Sequence, residues 1–178
     1  MIKKFIIPYF LVLILTGYTS CHLDEKIAFD IDYDTETTIP SIAYIDLPVD
    51  IPVPPITTNI DKTLESKNSK KEYLNTAKLQ ELVITAKDPA DQSFGFIKDI
   101  EIYLDAEGLE KVKIAEKHNI DADAGSILEF DIIPDLDIAE YLKKDEFELK
   151  LKIKPRKILL HKVKIDIHTT FRITVDII

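Results

Sequence analysis

Cysteine, glycine and tryptophan are the scarce residues of this 178-residue sequence, numbering one, four and none. A single cysteine excludes a disulfide framework and any cysteine-rich zinc site. With so few glycines there is no phosphate-cradling loop, and no G-x-S-x-G nucleophile elbow occurs. The four histidines, His22, His118, His161 and His168, form no HxH, HxxxH or HExxH pattern. Positive charge is also short, at 23 Lys and Arg against 32 Asp and Glu, for a formal net charge of -9. Such a surface repels phosphate backbones and lacks a basic stripe, so nucleic acid is not expected as a partner. Long apolar runs are missing too. The longest, Phe5–Leu15, falls well below the roughly 20 residues of a membrane-spanning helix.

What is present at the N-terminus has three parts. Lys3 and Lys4 form a positive segment, Phe5–Leu15 an apolar one, and Thr16, Gly17, Thr19 and Ser20 lead into the lone Cys21. This is the order of a secretory signal peptide. The stretch YTSC resembles the lipobox of bacterial lipoprotein precursors, although Tyr18 stands where an aliphatic residue is usual. The resemblance implies that residues 1–20 are removed and that Cys21 becomes a lipidated first residue. Two or more acyl chains give firm membrane attachment where one is marginal. The acids Asp24 and Glu25 resemble the surface-export signal that follows the lipidated cysteine in Bacteroidetes lipoproteins. On this reading 21–25 is a lipidated N-terminus and short tether, and the covalent lipid on Cys21 is the only expected cofactor. Without residues 1–20 the charge is -11, from 21 basic and 32 acidic side chains. An anionic membrane would not attract such a domain, so attachment must come through the anchor.

Residues 26–178 are expected to form one domain. Ile27, Phe29, Ile31 and Tyr33 share one parity, with acids on the other, as on a strand with one solvated face. Residues 40–57 carry five prolines between alternating Ile45, Leu47, Val49, Ile51 and Val53. That pattern predicts an edge strand or an extended segment packed on the core. Residues 61–71 are polar and predict a loop, leading into a helical turn near 70–76. Strands are expected at 79–86, at 100–104 turning through Ala106–Gly108 into 112–114, and through Leu128, Phe130 and Ile132. Pro134–Lys144 reads as a short helix, with proline and acids at its start and lysines at its end. Phe147–Ile153 alternates, and Val163–Ile177 keeps one parity for fifteen residues, predicting one long strand or two with a bulge near Thr169. The expectation is an all-β, antiparallel β-sandwich of roughly eight strands with one helix near 135–144. On pattern alone it is similar to immunoglobulin-like or late-embryogenesis-type sandwiches.

Three groups of residues invite a functional reading. Asp30, Asp32 and Asp34 lie on one strand face, but side chains two apart are about 7 Å from each other, too far for a calcium cage without a loop. Asp121 and Asp123, before Gly125, echo the start of a calcium loop, with the glycine one place early. Phe94 and Phe96 flank Gly95 in a loop, where the pair either plugs a sandwich end or meets a partner. The sum is a lipid-anchored protein of the cell envelope, placed in the outer membrane, with a binding, structural or accessory role and no enzymatic chemistry. Its partners would be the membrane and an envelope protein or glycan. The competing readings are a calcium-dependent adhesion or glycan-binding module, and a hydrolase using acidic loop residues.

Overall fold

Period-two alternation at the two ends of the chain becomes the longest ladder of the protein. The structure is a computed structural model that describes residues 26–43 and 47–177. Strand β1 (Lys26–Ile39) pairs antiparallel with β10 (Val163–Asp176) through fourteen consecutive residues without a register shift. The first sheet continues through β4 (Leu74–Asp88) to the three-residue β7 (Ile127–Glu129), in the order β1-β10-β4-β7. The second sheet has the order β2-β9-β5-β6-β8, with β3 also paired to β9. Its members are β2 (Val49–Pro52), β3 (Ile56–Thr57), β5 (Ile97–Asp105), β6 (Val112–Lys117), β8 (Asp131–Ile132) and β9 (Glu146–Pro155). All pairings are antiparallel, and the two sheets bury one apolar cluster between them in a sandwich-like arrangement. Alternation explains the core directly: Phe147, Leu149, Leu151 and Ile153 of β9 face Ile165, Ile167, Phe171 and Ile173 of β10, all nearly or fully buried.

The strand count exceeds the expected eight because β2, β3, β7 and β8 are two to four residues long. Leu128, Phe130 and Ile132 do not form one strand. The Phe130 N–H donates to Leu82 O at 3.2 Å, in the first sheet, while the Ile133 N–H donates to Ile114 O at 3.0 Å, in the second. The chain crosses between sheets there. The proline-rich segment does lie along the second sheet: Val49–Pro52 and Ile56–Thr57 both pair with β9. Leu47 nevertheless points into solvent.

The helix expected over 135–144 shrinks to α2 (Ala139–Leu142). Asp135 takes a left-handed φ of 57°, and the Asp137 carboxylate accepts from the Ala77 N–H at 2.9 Å and the Ala139 N–H at 3.0 Å. The segment before α2 is thereby tied to β4 instead of coiling. Conversely, part of the expected loop is helical: α1 (Ile60–Glu65) buries Ile60 and Leu64, one turn apart, under the sheets. A single 3-10 turn, Lys71–Tyr73, precedes β4.

Candidate functional site

The most concentrated set of ionisable groups stands on the solvent face of the β5–β6 hairpin. Gly108, at φ 76°, closes that hairpin, and the register places Glu101 directly opposite Glu116. Like charges opposed across a ladder repel. A register shift between Ile102 and Tyr103 brings Lys113 beside them, with its Nζ at 2.5 Å from Glu116 Oε2 and 3.6 Å from Glu101 Oε1. The Tyr103 hydroxyl donates to Glu101 Oε2 at 3.0 Å. His118 sits at the rim, its Nε2 at 3.2 Å from Glu116 and its Nδ1 at 3.4 Å from Asp99 Oδ1. Asp99 also accepts the Asn119 N–H at 2.9 Å.

Electrostatics follow from that geometry. The Lys113 ammonium, and then His118, hold the Glu116 carboxyl below its ordinary range. Glu116 in turn raises Lys113. Partial burial, which alone would raise Asp99, is outweighed by the Asn119 N–H and His118, and its carboxyl ends lower than usual. Burial and the neighbouring Glu101 both raise the Tyr103 phenol. Among the described residues only Glu101, Glu116 and His118 bring three metal-ligating side chains together, with ligand atoms within 4.8 Å. Two carboxylates and an imidazole suit a borderline divalent cation, but the space between the carboxylates is already taken by Lys113. The cluster is an ion network in which one ammonium and one imidazole link three carboxylates, and it keeps an acidic excess. None of the acids was singled out by its sequence context. The available signal was that Asp99, Glu101 and Tyr103 share the polar parity of one strand, with Glu116 on the next and His118 just past its end.

The residues singled out by sequence are dispersed. Cys21, Asp24 and Glu25 lie outside the described residues. Asp121 and Asp123 are exposed in a tight turn, closed by the Ala124 N–H donating to Asp121 O at 3.2 Å. Among the described residues they join no third metal-ligating group. Phe94 and Phe96 are buried, at 0% and 1% exposure, with ring centroids 6.4 Å apart. They close the core under the 118–126 loop, so neither ring offers a surface to a partner. Gly95 between them must lack a side chain, because a Cβ there would lie 2.1 Å from the Ala122 carbonyl oxygen.

The acids of β1 also find structural partners. Arg172 donates to both oxygens of Asp30 at 3.1 and 3.2 Å, Thr170 donates to Asp32 at 2.8 Å, and His168 Nδ1 lies 2.7 Å from Asp34. Lys164 completes the row at 2.6 Å from Glu36. Each pair spans the β1–β10 ladder, so the row is a charged sheet face and not a calcium cage. An open groove of about 920 Å³ runs between the Asp105–Leu109 turn and residues 143–148. Lys143, Lys144 and Lys150 intermix there with Asp105, Glu107, Asp145, Glu146 and Glu148, so acids outnumber bases by five to three and the groove shares the acidic character of the whole chain.

No family model matches the chain, and no curated protein matches it. Among solved structures, a chain of Desmodium yellow mottle tymovirus is similar over 85% of this chain and 90% of that one. At 8% identity and a TM-score of 0.29 that likeness is too slight to carry an argument about fold or function.

Proposed function

We propose that the chain is a lipid-anchored protein of the cell envelope, held in the outer membrane through acylated Cys21, with a binding, structural or accessory role. The observation that carries this reading is the lone cysteine in TGYTSC, set behind a positive and then an apolar segment. Only His22–Glu25 separate it from Lys26, where β1 begins. Five Cα steps reach at most about 18 Å, so the N-terminal end of β1 stays close to the lipid. Ile39, at the far end, pairs with Val163, and a fourteen-residue strand extends about 45 Å. The outward end then carries the 89–96 and 156–162 loops, with Ile158 and Leu160 exposed. Function in this reading is display: the anchor fixes one end of an acidic, immunoglobulin-like sandwich and presents its edges and distal loops to an envelope protein or glycan. Among the described residues no helix is long and apolar enough to cross a membrane.

Metabolic labelling with radioactive palmitate tests the anchor. Wild-type chain should take up label and sediment with membranes, and Cys21→Ala should do neither. Equal labelling and membrane recovery of the two would refute the proposal. Protease added to intact cells then reports the face: digestion places the domain on the surface, and protection places it in the periplasm.

A further inference from the structure

Four strand edges close the two sheets, and three of them are blunt. β7 has three residues and β8 two; β2 ends at Pro52 and β3 follows Pro55. The fourth edge, β1, has fourteen residues with neither proline nor glycine and an unbroken register against β10. An antiparallel strand turns only half of its N–H and C=O groups toward one neighbour, and the others point outward. Among the described residues no backbone–backbone hydrogen bond reaches that outer side of β1. Near Thr37, whose hydroxyl donates to Pro52 O at 2.7 Å, the 52–54 segment comes alongside. Among the described residues nothing pairs with the outer side of 27–35, a run of about 30 Å. A long unpaired edge is a template for another strand.

The side chains along this run define what fits. On the inner face Ile27, Phe29 and Ile31 are only half-buried, whereas Phe171, Ile173 and Val175 of the neighbouring β10 are fully buried. Apart from Lys67, whose Nζ stands 5.6 Å from the Phe29 ring centroid, apolar surface on β1 is therefore left for the inward residues of an added strand. On the outer face Asp30, Asp32 and Asp34 are tied to β10 on one side and free on the other. A cross-strand neighbour stands about 5 Å away, where a basic residue attracts and an acidic one repels. A second copy adding through its own β1 would set one acid row against the other. The protein already contains the complementary pattern. In β9, Phe147, Leu149, Leu151 and Ile153 point inward while Lys150, Lys152 and Lys154 point outward, and Lys152 is registered between Asp50 of β2 and Glu101 of β5.

We infer that the open edge of β1, over residues 27–35, is a strand-addition site for an extended segment of a partner protein that alternates apolar and basic side chains. Backbone pairing supplies the attachment, and the aspartate row selects charge and register. The inference does not depend on the lipid at Cys21, and its test is separate from palmitate labelling.

The probe is a capped, fluorescent ten-residue peptide alternating valine and lysine, titrated against the full chain in mild detergent at low salt. A peptide of the same composition arranged as five lysines then five valines is the control. Hydrogen exchange with the alternating peptide should show new protection of amides within 27–35, and the block peptide should give none. Asp32→Lys combined with Asp34→Lys should weaken the alternating peptide on the order of tenfold and favour a valine–glutamate analogue. Equal binding of the block peptide, protection confined to other strands, no binding at millimolar peptide, or self-association through β1 would each overturn the inference. The exchange footprint uses the unmodified protein, so it decides the matter even where the double variant does not fold.

Discussion

Removing one hydroxyl, in Tyr33→Phe, isolates a single buried hydrogen bond. The ring of Tyr33 meets Phe147 edge-on at 5.3 Å and Phe171 at 5.8 Å, contacts that phenylalanine retains. Its hydroxyl donates to Thr58 O at 2.8 Å. Thr58 is itself buried, its N–H donating to Asp145 O at 2.9 Å and its Oγ1 to Lys144 O at 2.8 Å. The substitution leaves the Thr58 carbonyl unsatisfied in the core, at a cost of about 1–3 kcal/mol. For a domain of this size that corresponds to a fall in Tm of roughly 3–10 °C. Alkaline pH supplies a second readout. Burial pushes the Tyr33 phenol up from 10.0 to about 12. Below pH 10 the phenol is neutral in both states and its contribution is complete. Between pH 10 and 12 the unfolded chain ionises while the folded one does not, and roughly 3 kcal/mol is lost. Tyr33→Phe lacks this loss, so the stability gap between the two proteins should close over that interval. Urea denaturation from pH 7 to 12 measures both effects, with the slope m unchanged at neutral pH. A variant that melts within 1 °C of wild type, or keeps a constant offset up to pH 12, refutes the reasoning.

Three further outcomes follow from other contacts. The Asp34 hydrogen bond, opposed by partial burial and helped by the charges of Asp34, Asp32 and Glu81, raises His168 above 6.5. Its stabilisation is complete below pH 6.5 and lost as pH rises through the raised value; exposure keeps it below about 1 kcal/mol. Wild type should therefore lose more stability than His168→Asn between pH 6 and 8, and parallel curves would reject the assignment. Gly95→Ala forces a Cβ against the Ala122 backbone, whereas a Cβ at Gly125 meets nothing within 4 Å. Calorimetry should find the first destabilised by about 1–3 kcal/mol and the second changed by less than about 0.5 kcal/mol; similar values for both would contradict the packing described. Lys113→Met strips the cation from between Glu101 and Glu116, costing about 1 kcal/mol at pH 7. Adding Glu116→Gln should recover most of that loss, and no recovery would show that the carboxylates do not repel.

How far the fold could be read from the sequence depended on bulges. β1, β9 and β10 carry no extra residue of their own in the β1–β10 and β5–β9 ladders, and the parity of Ile27 to Tyr33, Phe147 to Ile153 and Val163 to Val175 translates straight into an inner face. On β4 the buried residues are Leu74, Ala77, Leu79, Leu82, Ile84 and Ala86. Their spacing changes from three to two and back because Asn75 and Gln80 are extra residues against β10, as is Lys87 beyond Ala86. Period-two reasoning recovers only 79–86 of that strand and takes its start for a helical turn. Each bulge keeps apolar side chains inward at the expense of a regular pattern. The β5–β6 ion cluster was hidden for the same reason, since the shift at Ile102/Tyr103 is what brings Lys113 beside Glu101 and Glu116. Where bulges are absent the sequence exposes more than topology. β1 has an unbroken pattern because no bulge interrupts its pairing with β10, and a long strand without a bulge keeps a regular outer edge. The stretch KIAFDIDYD, legible as a strand from parity alone, thus also marks the longest open sheet edge among the described residues.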